Sequence, residues 1–324
     1  MPWRSRRSPR PRASERGAGP THQVANPKFP KTLPEFRLFA VIKTWMDEDI
    51  IEATVRNATI QGAEKVFIVD NGSTDRTLTR AESAGATVAE VYETDAFNGR
   101  IAQAFVNAVV ARESLRCRAP YVWWLHLDSD EFVEGPDGMT VRDYLASLDE
   151  QFKVVGSIFV NHLPTAKPEY ISGFHPIDFQ PCGYYFQDTW SICGMPHWKH
   201  PIQRFDRHDR FLQCRPGAHF VFGGGRLAEP TRDVVIHHFQ YRDETLTRAK
   251  TAVAYGDRAD PSRHDHGNDF KIRFETLDAV YERRWTDMEP TIPSLEPWSS
   301  IEGLPRWYDV ADVRHARDQW KNPT

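Results

Sequence analysis

Short apolar runs separated by stretches of helical spacing organise the chain from residue 36 to residue 134. Phe36 to Ile42, Lys65 to Asp70 and Ala86 to Tyr92 have strand character, and an unbroken apolar and aromatic run opens at Tyr121. Runs of about four to eight such residues predict strands buried on both faces, the habit of parallel sheets. Between them the period becomes helical. Ile51, Val55 and Ala58 share one face, a short helix runs to about Ala84, and the helix after Gly99 places Ile101, Phe105, Ala108 and Val109 inward. Thr44-Trp-Met-Asp47 resembles a capping box, and Asn71-Gly-Ser-Thr74 reads as a turn and helix cap. Four strands alternating with three helices predict an α/β fold with a doubly wound, mostly parallel sheet.

Beyond Glu134 this rhythm is lost. Val154 to Val160 reads as a strand, Phe211 to Phe222 includes another, and Val234 to Phe239 is a third. The Pro-, Gly-, His- and aromatic-rich stretch between them suits loops and irregular strands that build a cleft over the sheet. Thr245 to Tyr255 and Phe270 to Arg284 read as the later helices. Residues 1–30 lack apolar periodicity and are expected to be disordered. The expected division is a basic tail over 1–30, one domain over 31–285 in halves meeting near residue 135, and an extension over 286–324.

Composition adds limits. The chain is 40% hydrophobic and 12% aromatic over 324 residues, enough for a sizeable core. No window approaches the roughly 18 apolar residues of a membrane span, and no apolar signal-peptide core follows the N-terminus. Cys117, Cys182, Cys193 and Cys214 show no Cys-x-x-Cys spacing, which reads as free thiols in a reducing compartment, so the cytoplasm is the expected location. The formal charge of -4 hides six arginines and Lys28 against Glu15 in residues 1–30, a basic tail on an acidic body. That balance argues against a nucleic-acid-binding body, while the tail alone could touch acidic lipid or nucleic acid.

The chemistry concentrates where the Tyr121 run ends in Asp128, Ser129, Asp130 and Glu131. Buried carboxylates need a cation or hydrogen-bond donors. Ligands of open α/β sheets bind at the carboxyl ends of the strands. Two aspartates one residue apart can both place oxygens on one hard divalent ion; an acidic loop or a helix cap is the plainer alternative. Asp70-Asn-Gly-Ser-Thr-Asp75 follows the second strand, where Asp70 can accept from a base N–H and the turn's amides can face a ligand. No Gly-x-Ser-x-Gly elbow and no phosphate-cradling Gly-Lys motif is present; Gly223-Gly-Gly225 is a hairpin or loop, and His264-Asp-His266 a solvated loop.

Three segments together resemble the glycosyltransferase family 2 superfamily: Val41-Ile-Lys43 with Asp47-Glu48, Val66-Phe-Ile-Val-Asp70-Asn-Gly-Ser-Thr-Asp75, and Leu125-His-Leu-Asp128-Ser-Asp130-Glu-Phe132. The branch that looks most similar keeps Asp-x-Asp-Glu-Phe and a later His-rich motif. The resemblance covers roughly residues 36–135, and more weakly extends to about 256. It implies a GT-A fold, with an irregular acceptor-side half, that binds a UDP- or GDP-sugar donor. It implies that Asp70 contacts the base, and that Asp128 and Asp130 meet the ribose and a divalent metal, Mn2+ or Mg2+. Lys43 sits where the nucleotide enters, and Arg100 and Gln103 could reach donor phosphate or sugar.

Val234-Val-Ile-His237-His238-Phe-Gln-Tyr-Arg242 looks like that family's His-x-x-Tyr-Arg segment. Adjacent histidines on a strand point to opposite faces, so at most one enters the cleft. His238 keeps the spacing to Tyr241 and Arg242 and would complete the metal shell, with Arg242 and Lys250 neutralising the departing diphosphate. The family's inverting mechanism needs a carboxylate base, for which Asp188 is the first candidate and Glu131 and Glu229 the next. Tyr184, Tyr185, Phe186, Trp190 and Trp198 could stack on an acceptor sugar or belong to the core. The expectation is a metal-dependent glycosyltransferase acting on a glycan or small-molecule acceptor. A metal-dependent nucleotidyltransferase or phosphohydrolase, and a catalytically silent nucleotide-binding protein, are the alternatives.

Overall fold

The computed structural model describes residues 35–94, 98–162, 183–186, 198–206, 213–214, 218, 221–222, 233–255, 281 and 295–297. The elements of the first part are β1 (Phe36–Thr44), α1 (Ile51–Ile60), β2 (Lys65–Asp70), α2 (Thr77–Ser83), β3 (Thr87–Val91), α3 (Gly99–Arg116) and β4 (Tyr121–Asp128). There follow β5 (Glu131–Glu134), α4 (Val141–Ser147), β6 (Val154–His162), β7 (Gly183–Phe186), β8 (Trp198–Asp206), β9 (Gln213–Cys214), β10 (Val221–Phe222), β11 (Val234–His238), α5 (Glu244–Tyr255) and β12 (Leu295–Pro297).

Strands β3, β2, β1 and β4 lie side by side in that order and are all parallel. β8 is inserted antiparallel against β4, and β6 antiparallel against β8, so β6 regains the direction of β4. β11 pairs parallel with β6 and antiparallel with β5. β7 and then β12 extend the sheet antiparallel beyond β6, while β9 and β10 form a separate two-stranded ribbon.

Strand alternation divides the core between two faces. Leu38, Ala40, Ile42, Ile68, Trp123 and Leu125 pack with Ile51, Val55 and Ala58 of α1, Ala81 of α2, and Val141 and Leu145 of α4. Phe39, Val41, Phe67, Val69 and Trp124 pack with Val106, Val109 and Val110 of α3. Helices on both faces make the sheet doubly wound. Fully burying an aromatic of this size is worth about 1.5–3 kcal/mol, and Trp124 also donates from Nε1 to Ser114 Oγ at 2.8 Å.

Three local expectations need correction. Thr44 ends β1 and caps nothing: its hydroxyl donates to Asp47 Oδ2 at 3.2 Å, and α1 starts only at Ile51, after an Ile50 cap without a side-chain bond. At α2 the amide of Thr77 is met by Asp75 Oδ1 at 2.9 Å, so Asn71–Thr74 is a turn and the following aspartate does the capping. On α3 the buried stripe is Ala102, Gln103, Val106, Val109, Val110 and Ser114, and Ile101 and Ala108 are exposed. That helix carries apolar residues around most of its circumference, so spacing alone left its rotation open by about one residue. The irregular stretch after Glu134 contains regular elements not expected there, α4, β7 and β8. Of the helix expected over Phe270 to Arg284 only Tyr281 is described, buried with its hydroxyl 3.0 Å from Thr247 Oγ1. Residues 1–30 and most of 286–324 lie outside the described residues. Among those described, no helix is long and apolar enough to cross a membrane.

Candidate active site

Parallel register brings three strand ends to one level, because Lys43 lies beside both Val69 and Asp128, and Thr44 beside Asp70. Asp70 is fully buried and satisfied by its own turn, accepting from Ser73 N at 2.7 Å and Ser73 Oγ at 2.6 Å. Burial raises its pKa above the ordinary aspartate value, with the Ser73 bonds opposing. Ser73 Oγ also accepts from Met46 N at 2.8 Å, which ties the loop after β1 to this turn. Met46 itself sits at φ 55°, a left-handed conformation rare for a residue with a side chain.

At the end of β4 the chain turns through Ser129 and Asp130 into β5. Helix α1 fixes this turn: Thr54 Oγ1 donates to Ser129 O, and the Asn57 side chain bonds both the carbonyl and the amide of Val133, at 3.1 and 2.9 Å. β5 then pairs with β11 so that Glu131 faces His238. The result is a cluster in which ligand atoms of Asp130, Glu131 and His238 all lie within 4.8 Å of one another. His238 Nε2 is 3.6 Å from Asp130 Oδ2. His237 points the other way, with Nε2 2.9 Å from Glu134 Oε2 and Nδ1 3.1 Å from His162 Nε2. The divergence is what a strand imposes on neighbours. One imidazole and two carboxylates at this spacing are a donor set that fits a manganese-like divalent ion.

Cations from distant segments hold these acids. Lys43 Nζ is 2.7 Å from Asp128 Oδ1. Lys199, projected from β8 and buried, is paired with Glu131 and lies 3.4 Å from Asp128 Oδ2. Burial alone would favour the neutral lysine, but the Glu131 and Asp128 carboxylates outweigh it and hold its pKa above the ordinary value. Asp130 is pulled the opposite way. Burial is overcome by His238 and Arg242, which keep it well below the usual carboxylate range.

Behind the cluster, buried Asp47 gathers five donors: Thr44 Oγ1, Trp45 N, Ser129 Oγ at 2.5 Å, Arg242 Nη2 at 3.2 Å, and Lys250. Arg242 also bonds Asp49 Oδ2 at 2.7 Å and the Phe239 carbonyl at 2.7 Å. Arg242 and Lys250 therefore bind α5 and the segment after β11 to the loop after β1. Arg242 Nη1 also lies 3.9 Å from Asp130 Oδ2 of the cluster.

Of the residues singled out from the sequence, Lys43, Asp128, Asp130, Glu131 and His238 come together, with Asp70 on the neighbouring strand end. Gln103 is buried and lines the cavity beside Lys43 and Asp128. Arg100 lies exposed on the first turn of α3, its amide bonded to Asn98 Oδ1 at 3.0 Å. Asp188, Glu229 and Trp190 lie outside the described residues. Sequence reasoning missed two groups. Lys199 sits in Trp198-Lys-His-Pro-Ile, a polar, Pro-containing segment without strand alternation. His126 was hidden inside an apolar run. It is buried, neither ring nitrogen has a hydrogen-bond partner among the described residues, and burial with Lys43 nearby lowers its pKa to about 3.

No family model matches this chain, and no curated protein matches it either. Among solved structures it is similar to glucosyl-3-phosphoglycerate synthase from Mycobacterium tuberculosis in complex with Mg2+ and uridine diphosphate, at 20% identity and a TM-score of 0.26. That match covers 38% of this chain and 43% of the synthase chain. A second structure, described as a mycobacterial protein, is 22% identical with a TM-score of 0.26, over 39% of this chain and 41% of that one. The chain thus spans less than half the length of these structures, and a likeness so partial says nothing of substrate.

Proposed function

We propose that the protein is a metal-dependent glycosyltransferase that moves a sugar from a UDP- or GDP-sugar to a hydroxyl acceptor. The observation that carries this reading is the meeting of Lys43, Asp70, Asp128, Asp130 and His238 at the carboxyl edge of parallel strands, where α/β sheets take their ligands. Asp70, buried and bonded to Ser73, fixes the turn beside which the base would lie, and Lys43 and Lys199 face the diphosphate. A divalent ion, held by Asp130 and His238 with Glu131 and Asp128 beside them, would neutralise charge on the leaving diphosphate. In the transfer, the acceptor oxygen bonds to the anomeric carbon as the bond to the diphosphate oxygen breaks. A carboxylate takes the acceptor proton. Glu131 is poorly suited to that task, being buried and clasped by Lys199, and the role falls to Asp188. Inversion at the anomeric carbon follows from this single displacement. Arg242 and Lys250 support the reaction by fixing Asp47, and through it the turn at Ser129.

The test is thermal stability against a panel of nucleotides and nucleotide sugars, with and without Mn2+, since binding to the native state raises the melting temperature. A Mn2+-dependent rise with UDP or GDP ligands, lost in Asp130→Ala, is expected. No rise with any nucleotide under any metal condition overturns the reading. Release of intact nucleoside diphosphate separates transfer of a sugar from phosphohydrolase or nucleotidyltransferase chemistry, which would free sugar phosphate or pyrophosphate.

A further inference from the structure

Asp130 and Glu131 are neighbours in the turn from β4 to β5, yet their oxygens are spent differently. Glu131 is 1% exposed and both of its oxygens are engaged: Oε1 accepts from Lys199 Nζ, and Oε2 from the Asp128 amide at 3.2 Å. Asp128 is likewise taken, with Oδ1 2.7 Å from Lys43 Nζ and Oδ2 3.4 Å from Lys199 Nζ. The Asp130 side chain is 22% exposed and faces His238 at 3.6 Å and Arg242 at 3.9 Å. No ammonium sits on it among the described residues.

Lys199 thus divides one ammonium between two of the three acids. β8, held between β4 and β6, projects it there, and its burial keeps it from drifting into solvent. An ammonium donates three hydrogen bonds and accepts none, so it competes with a divalent ion for the same carboxylate lone pairs. Two cations on one carboxylate also repel each other strongly where water is scarce. Ligand atoms of Asp130, Glu131 and His238 converge within 4.8 Å, but Glu131 becomes a third ligand only when Lys199 gives it up. The ammonium then needs another anion. It already leans on Asp128, whose half-buried carboxylate shares the rim with Lys43, where a diphosphate would lie.

We propose that Lys199 is an internal counter-ion that makes metal binding depend on the nucleotide. Without nucleotide it holds Glu131 against the ion; with nucleotide it turns to the diphosphate and yields Glu131. Only ion pairs exchange, and no covalent bond changes. The inference rests on the donor site proposed above and gives that site an order, in which the ion enters with the donor and not before it. By linkage, the ion tightens the nucleotide by the same factor as the nucleotide tightens the ion.

The experiment measures Mn2+ binding to the full chain by calorimetry, alone and with saturating UDP or GDP, and nucleotide binding with and without Mn2+. Wild type, Lys199→Met and the double variant Lys199→Met/Glu131→Gln are compared. The double variant loses both charges, so neither is left buried without its partner. Nucleotide is expected to tighten Mn2+ binding about a hundredfold in wild type. Lys199→Met binds Mn2+ alone about tenfold more tightly than wild type, and the coupling falls by the same factor. The double variant loses that gain, because the gain comes from Glu131 and not from removing a positive charge. Wild-type affinity of Lys199→Met for Mn2+ alone, or a gain that survives in the double variant, overturns the role of Lys199 and leaves the transferase reading intact. So does a wild type in which nucleotide leaves Mn2+ affinity unchanged, a result that needs no variant to fold. Failure of UDP and GDP to bind wild type under any metal condition overturns both.

Discussion

The carboxyl ends of β2 and β4 each present acid groups at the same edge of the sheet, yet they are held in opposite ways. Asp70 is satisfied within three residues, by the amide and hydroxyl of Ser73. The acids after β4 are held by cations from β1, β8 and the region of β11 and α5, and Asp47 behind them by Lys250, 203 residues away. One is a turn that a short peptide could nearly write for itself. The other is a charge cage that exists only when the whole second half has folded. A locally satisfied acid is replaceable at small cost to the fold, whereas removing a member of the cage takes a counter-charge from a buried partner.

The sharpest way to break this contrast is Arg242→Ala, which removes from buried Asp47 and half-buried Asp49 the guanidinium they share. Breaking a buried pair from one side costs about 3–5 kcal/mol, read as a lower denaturation midpoint in urea. A loss below about 1 kcal/mol, the range of a surface ion pair, would mean that the cage is ornamental. Lys199→Met comes next. It leaves Glu131 buried without its ammonium, for about 2–3 kcal/mol, and frees that carboxylate for a metal. Added Mn2+ is therefore expected to raise the melting temperature more in this variant than in wild type; equal shifts would count against Glu131 as a ligand.

Asp70→Asn is the smallest, within about 1 kcal/mol, and its sign depends on pH. The folded pKa of Asp70 lies above its unfolded value near 3.9, so the folded state holds the proton more tightly. Its contribution is fullest below the unfolded value and is lost as pH rises through the folded one. The amide escapes that loss and still accepts from Ser73. The variant's melting temperature should match wild type near pH 4 and exceed it near pH 7. A variant less stable at both values would show that the charged form is wanted by the fold itself.

How much of this was legible follows the same division. The β1-to-β4 half could be read because its signals are short-range: strand runs of apolar residues, a turn after Asp70, and helices of ordinary spacing. Even there the rotation of α3 escaped, since its apolar residues do not mark one face. In the second half β8 could not be read, because Pro201 and four charged or imidazole side chains interrupt its nine residues. That strand lies between β4 and β6, where its neighbours rather than its own propensity make it a strand.

By itself the sequence determined which acids end the strands and which way two adjacent histidines must diverge, because period-two alternation and strand termination are local properties of the chain. Only the tertiary structure decided which histidine meets Asp130, that Lys199 is the counter-ion of Glu131, and that His126 lies buried beside a small cavity. Those facts depend on register between strands far apart in sequence, and on space left empty by packing. No local pattern encodes either.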